Sequence, residues 1–260
     1  MKRQRFVDHP PRPPRLLPDN TNAHVSGYTA AATLWGSLRL EEWLTAEASL
    51  RDILLLNRHT VLRQRGANFL RGTAVLDRLR AEEWATKRYV GGAELLALLT
   101  ELQAALQGKV RITKQNLVRV VMLKHSLMQW RPNLHLVEEN SEAAVEKASA
   151  TALGADGGSI CERLKALTAL RGVGPATATL VCALAFPEHC AFMTDEVISC
   201  LGGEPGGKLP SQKSAEAEVD FFGNLVLKLK KKGAELGNGW TANRVQLAIL
   251  AAWQAGASAP

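Results

Sequence analysis

The residues best suited to chemistry lie in a break between two apolar segments. Leucines recur at helical spacing over 164–170, and Pro175 opens a second run of small apolar residues, which predicts a helix, a tight turn and a helix. Gly172 and Gly174 stand in the turn, where glycine permits positive φ and close approach of another molecule to the backbone. The N–H groups of a helix's first turn lack intrahelical partners and carry the positive end of the helix dipole. The turn is therefore a candidate anion site, although a hairpin that only changes the chain direction can share this pattern.

Residues 170–178 read Leu-Arg-Gly-Val-Gly-Pro-Ala-Thr-Ala. This string resembles the helix-hairpin-helix of the DNA glycosylase superfamily, whose pattern is approximately Leu-Pro-Gly-[Val/Ile]-Gly-x-x-Thr-Ala. The resemblance implies that backbone amides of the hairpin hold a DNA phosphate. The residues it assigns to DNA-backbone binding are Gly172, Val173, Gly174, Ala176 and Thr177.

The resemblance extends beyond the hairpin to the start of the following helix. Residues 187–196 read PEHCAFMTDE, which is similar to a divergent eukaryotic branch with Pro-Glu-x-x-x-Phe-x-[Ser/Thr]-Asp-Glu after the hairpin. The superfamily's catalytic aspartate falls in register with Asp195, so the resemblance implies that role for it. The alternative is that Asp195 is only the N-cap of a helix, a role for which Thr194 competes.

A block upstream of the hairpin matches the same branch in part. Its pattern is Trp-Lys-Leu-x-Arg-Gly-x-Phe-Arg-Pro, of which Lys124, Arg131 and Pro132 match, with Trp130 as the aromatic residue. Lys124, Trp130 and Arg131 are therefore candidate DNA contacts, since an aromatic beside a cation can stack on a base or contact a phosphate. The alternative is that Trp130 fills the core while Arg131 extends past it into solvent. The aromatic residues that could form a base-stacking wedge are Trp130, Phe192 and Trp240.

Two departures from the superfamily limit the chemistry. Lyase-active branches have a lysine two residues after the second hairpin glycine, where this chain has Ala176, so a Schiff-base mechanism there is excluded. The four cysteines at 161, 182, 190 and 200 are spread along the chain rather than clustered as in the iron–sulfur branches. We therefore expect no metal or other cofactor, and we expect the cysteines to be small core residues.

Composition sets the broader limits. With 260 residues, of which 46% are hydrophobic, the chain can bury a substantial core. The net charge of +7 and the pI near 9.4 favour a polyanionic partner. No apolar run reaches membrane-spanning length, and the cysteine spacing is typical of a reducing compartment. We expect an intracellular and nuclear protein that binds duplex DNA and no membrane.

The pattern along the chain predicts an all-α, multi-helix fold of the helix-hairpin-helix glycosylase type behind a disordered basic tail. The tail covers 1–25, with five prolines and five basic residues against two acidic ones. A single domain is predicted over 26–256, with the hairpin at 160–186 and a Gly/Pro-rich linker at 202–211 that could divide it into two lobes.

Helical periodicity and capping residues predict the elements that hold the hairpin. One long helix or two consecutive helices are expected over 28–70, with Leu38 and Leu44 in the apolar stripe. Lys114, Arg119 and Lys124 are expected partly outward, and the lysines at 228 and 230–232 form a solvated helix end. The further predicted helices are 76–90, 93–107, one to about 128 capped by Thr113, one to about 153 capped by Asn140 or Ser141, 212–229, and 242–254 capped by Thr241.

Three functions fit these features. The chain is a monofunctional DNA glycosylase, a catalytically inactive protein that binds the DNA backbone, or an α-helical interaction module whose hairpin is only structural. Glycosylase activity is expected to be lost on Asp195→Asn, and DNA-backbone binding on bulky substitution of Gly172 and Gly174.

Overall fold

The computed structural model describes residues 21–56, 92–127, 133–202, 215–237 and 239–258. Within these ranges the chain forms eleven α-helices and no strand, which confirms the all-α prediction. The helices are α1 (Thr21–Gly36), α2 (Leu40–Leu56), α3 (Gly92–Leu106), α4 (Lys114–Leu127), α5 (Leu134–Glu138), α6 (Glu142–Leu153), α7 (Ile160–Thr168), α8 (Pro175–Ala185), α9 (Asp195–Gly202), α10 (Ala215–Leu236) and α11 (Ala242–Ser258).

The first and last described helices pack against each other through glycines. A Cβ at Gly27 of α1 would lie 2.7 Å from the carbonyl oxygen of Trp253, and one at Gly256 of α11 would lie 2.7 Å from that of Ser26. Close backbone approach therefore requires the absence of a side chain at both positions. The ring of Tyr28 also meets that of Trp253 edge-on at 6.0 Å.

Polar caps fix several helix starts as the sequence predicts. The hydroxyl of Thr113 accepts from the N–H of Asn116 before α4, and that of Thr241 accepts from Arg244 in α11. Ser141 is the N-cap of α6, where its side chain accepts from the N–H of Ala144. These caps satisfy N–H groups that have no intrahelical acceptor.

The N-terminal predictions need correction. Helix α1 begins at Thr21, so residues 21–25 are helical rather than part of the tail, while 1–20 lie outside the described residues. Of the one long helix or two consecutive helices predicted over 28–70, the structure shows two, α1 and α2, separated at 37–39. Leu38 in this break is 72% exposed, so it does not belong to the apolar stripe as expected. Leu44 is also exposed. Three other predicted segments lie outside the described residues. They are the rest of the 28–70 stretch, the helix over 76–90, and most of the linker, at 203–211.

Helix α10 continues seven residues past its predicted end at 229, to Leu236. Gly233 lies inside this helix and does not end it. The absence of a side chain there lets α10 approach Trp240, whose carbonyl oxygen would lie 2.7 Å from an added Cβ. Lys232 is only 6% exposed, and its Nζ lies 5.5 Å from the ring centre of Trp35 and 5.6 Å from that of Trp43. The expected solvated end is therefore wrong for Lys232, whose cation is held by aromatic rings.

Candidate functional site

The predicted break between the two apolar segments is a turn between α7 and α8. Gly172 has φ +73°, a conformation that L side chains rarely adopt. A Cβ there would lie 2.9 Å from the carbonyl oxygen of Asn133 and 2.9 Å from Cγ2 of Val137. Gly172 therefore allows both the sharp turn and the close contact with α5.

Gly174 serves a different purpose from Gly172. It is the N-cap of α8 with φ −93°, and a Cβ built on it would meet no atom within 4 Å. The residue is exposed, and it has no side chain with which to cap the helix. Its open side is the direction from which another molecule could reach the backbone at the start of α8.

Among the remaining hairpin residues, a ligand could contact backbone groups but not the buried side chains. Pro175 occupies the first turn of α8 and has no N–H to satisfy. Ala176 is half-buried, and its N–H is one of those for which an α-helix supplies no acceptor. Val173 and Thr177 are 5% and 1% exposed, so Val173 points inward as predicted, and any contact by these two residues is restricted to the backbone.

Two asparagines at the ends of α5 hold the turn. The side-chain amide of Asn140 donates to the carbonyl oxygen of Arg171 at 2.9 Å, and its Oδ1 accepts from the N–H of Arg171 at 3.0 Å. Asn133 donates to the carbonyl oxygen of Gly172 at 2.8 Å, while its own Oδ1 lies 3.0 Å from Nε2 of buried His125. Three backbone polar groups of the turn, the N–H and carbonyl of Arg171 and the carbonyl of Gly172, are therefore hydrogen-bonded to the asparagines that flank α5.

The start of α7 is fixed by a capping box. Ser159 accepts from the N–H of Glu162, and the Glu162 carboxylate accepts from the N–H of Ser159 at 2.6 Å. The hydrogen bonds that this carboxylate accepts from Ser159, from the backbone N–H first and from the hydroxyl second, lower the pKa of Glu162 from its ordinary value. Arg163 donates to the carbonyl oxygens of Ala152 and Gly154 at 2.6 and 3.1 Å, which attaches the end of α6 to the hairpin.

Asp195 is exposed in the first turn of α9. The N-cap position before it is filled by Thr194, whose hydroxyl accepts from the N–H of Val197 at 3.4 Å. The hydroxyl of Thr179 in α8 accepts from the N–H of Met193 at 3.2 Å. A direct hydrogen bond thus connects α8 to the chain two residues before Asp195.

The other predicted contacts are less favourably placed. Lys124 is 6% exposed, so the expectation that it points partly outward is wrong. Trp130 and Arg131 lie outside the described residues. Phe192 and Trp240 are 3% and 6% exposed, and neither presents the exposed ring that a base-stacking wedge needs.

The cysteines behave as core residues in most cases. All four are free, and Cys182, Cys190 and Cys200 are buried. Burial raises the pKa of Cys200 to about 12. The pKa of Cys190 is raised by its hydrogen bond with Cys182 and by burial. The thiols of Cys190 and Cys200 therefore stay protonated and unreactive. The described part of the chain contains no group of three or more metal-ligating side chains, and none of its helices combines the length and apolarity needed to cross a bilayer.

No protein-family model, curated protein or solved structure matches this chain. The functional assignment therefore depends on the hairpin geometry and on the residues of the motif.

Proposed function

We propose that this protein binds duplex DNA by holding a backbone phosphate at the start of α8. The observation that carries the proposal is Gly174, an exposed N-cap with open space where a side chain would be. A phosphate oxygen arriving there meets the N–H groups of the first turn and the positive end of the helix dipole.

Rigidity supports the same proposal. The turn before α8 is bonded to Asn133 and Asn140, so its amides need not be ordered when the phosphate binds. Binding to an already ordered site avoids part of the entropic cost of association. The net charge of +7 adds long-range attraction for a polyanion.

Gly174→Leu tests the proposal, because it fills the approach to α8 at a φ that leucine tolerates. Gly36→Leu is the matched control, since Gly36 is also exposed with no atom within 4 Å of an added Cβ. We expect Gly174→Leu to weaken binding to a short duplex at least tenfold, while Gly36→Leu binds as the wild type does. Equal affinity of both variants would contradict a phosphate site at α8.

Salt dependence distinguishes phosphate binding from other modes of association. The logarithm of the binding constant should fall linearly with the logarithm of salt concentration, because phosphate contacts release counterions. A flat dependence would contradict the proposal. Absence of binding at physiological salt would favour an interaction module with a structural hairpin.

The finer proposal is monofunctional DNA glycosylase activity through Asp195. It is supported by the exposure of Asp195 in the first turn of α9 and by Thr194, rather than Asp195, filling the N-cap position. A carboxylate beside a flipped-out nucleotide stabilises the positive charge that develops on the sugar, or activates water. The hydrogen bond from the N–H of Met193 to Thr179 of α8 would hold Asp195 at a fixed distance from a phosphate bound at the start of α8.

Base release from duplexes carrying damaged or mispaired bases tests this activity. Asp195→Asn should abolish release and leave DNA binding intact, whereas Glu188→Gln, at an exposed position of the loop before α9, should retain both. Undiminished release by Asp195→Asn would exclude Asp195 from the mechanism. Salt-sensitive binding without release on any substrate, and without preference for a stable abasic analogue, would leave an inactive DNA-backbone-binding protein.

A further inference from the structure

Arg171 lies beside the candidate phosphate site and has no counterpart in the motif that the hairpin resembles, where this position is proline. Its side chain is 63% exposed and forms an ion pair with Glu139, which is 45% exposed. Glu139 is the C-cap residue of α5, so the pair joins the hairpin turn to that helix.

The backbone of Arg171 is fixed although its side chain is exposed. Asn140, the neighbour of Glu139, accepts from the N–H of Arg171 and donates to its carbonyl oxygen at 3.0 and 2.9 Å. The guanidinium therefore extends from an anchored position three residues before Gly174. It can change partner by side-chain rotation without moving the turn.

Resting on the proposed function above, we propose that Arg171 is a second phosphate contact of the hairpin and that Glu139 competes with DNA for it. The planar guanidinium has five N–H donors and binds carboxylate and phosphate in the same forked geometry. An exposed ion pair is weak and easily exchanged. The Glu139 carboxylate also repels an incoming phosphate, so the pair lowers DNA affinity until the exchange occurs.

Two substitutions with opposite expected effects test the exchange. Arg171→Gln should weaken duplex binding about three- to tenfold and reduce the slope of log K against log salt by about 0.9, the loss of one phosphate contact. Glu139→Gln should tighten binding about threefold at low salt, because it frees the guanidinium and removes a repulsive charge. In the Arg171→Gln background, Glu139→Gln should have a smaller effect, since no guanidinium remains to be released.

Glu42→Gln is the matched control, because Glu42 of α2 pairs with exposed Arg39 just before that helix and its neutralisation adds the same net charge. If Glu42→Gln and Glu139→Gln increase DNA affinity equally, the effect is due to net charge alone and the proposed exchange is wrong. An unchanged affinity and salt slope in Arg171→Gln would also overturn it. Arg171→Lys retains the charge and should keep most of the slope, which separates loss of a phosphate contact from damage to the fold.

Failure of the Arg171 proposal can be distinguished from failure of the proposed function. If Gly174→Leu loses binding while Arg171→Gln does not, the hairpin binds phosphate without Arg171. If the wild type does not bind DNA, or if Gly174→Leu binds as tightly as the wild type, the phosphate site itself is wrong.

Discussion

Gly172 and Gly174 stand two residues apart and should respond differently to the same substitution. Gly172→Ala places a Cβ at φ +73° and within 3 Å of Asn133 and Val137, so we expect it to lower the free energy of unfolding by about 1–3 kcal/mol. Gly174→Ala, at φ −93° in open space, should cost about 1 kcal/mol or less, the loss from a poorer N-cap. Urea denaturation of both variants measures the difference, and equal losses would contradict the separate roles.

Asn140 should contribute more to stability than an ordinary polar residue. It is 7% exposed and hydrogen-bonds both the N–H and the carbonyl of Arg171, so Asn140→Ala leaves two partly buried backbone groups without these partners. We expect a loss of about 2–3 kcal/mol. The matched variant Ser141→Ala removes only a helix cap and should cost about 1 kcal/mol. Comparable losses for the two would show that water replaces Asn140 at little cost.

The residues of the hairpin could be predicted from sequence only where their partners are near in the chain. Val173 inward and Pro175 at a helix start follow from local pattern, and both are observed. Local sequence patterns do not identify Asn133 as a site residue and identify Asn140 only as a candidate cap, because their partners in the turn lie 39 and 31 residues away. No periodicity or motif records such a contact.

Helix α7 offers a test of the capping box through pH. Hydrogen bonds from Ser159 lower the pKa of Glu162 below its ordinary value of 4.5, so the folded state favours the carboxylate. This contribution is fully present above the ordinary pKa and is lost as pH falls through the lowered value. The stability difference between wild type and Glu162→Gln should therefore be present at pH 7 and shrink at pH 3.

Urea midpoints at pH 7, 5 and 3 measure this difference. Ser159→Ala removes the hydroxyl partner but keeps the backbone N–H, so it should retain part of the pH dependence. A stability difference for Glu162→Gln that is independent of pH would show that the carboxylate's charge has no part in the cap.

At the scale of elements, helix starts were easier to predict than helix ends. Thr113 and Thr241 cap through residues three positions away, which a sequence shows directly. The end of α10 differs from the prediction because Gly233 lies inside the helix, where it allows close approach to Trp240, and not at a turn. Lysines that suit a helix C-terminus in general include one, Lys232, that is covered by Trp35 and Trp43.

At the scale of the molecule, composition and periodicity predict an all-α chain but not how its first and last described helices pack together. The contacts of Gly27 with Trp253 and of Glu47 with Arg244 each span about two hundred residues. Glycine at 27 reads as a helix-weakening residue when only α1 is considered. Its function in close packing becomes apparent only when α11 is placed beside it.

The ion pair between Glu47 of α2 and Arg244 of α11 should stabilise this junction measurably. Arg244 donates from Nε and Nη2 to the two carboxylate oxygens at 2.7 Å each, and the pair is 28–34% exposed. Its guanidinium carbon also lies 4.6 Å from the ring centre of Trp240, which meets Trp43 edge-on at 5.7 Å. Such a pair is stronger than most surface pairs because its geometry is bidentate and because it is partly buried beside an aromatic ring.

A double-mutant cycle with Glu47→Gln, Arg244→Gln and both changes together isolates the coupling. We expect a coupling free energy of about 1 kcal/mol at low salt. In 0.5 M salt it should fall to a fraction of that value, because salt screens a partly buried pair only in part. The pair of Arg39 with Glu42, in which Arg39 is 81% exposed, should give a smaller coupling in the same cycle. Equal couplings for the two pairs would mean that the junction of α2 with α11 is held by apolar packing around Trp43 and Trp240, with the charges contributing nothing specific.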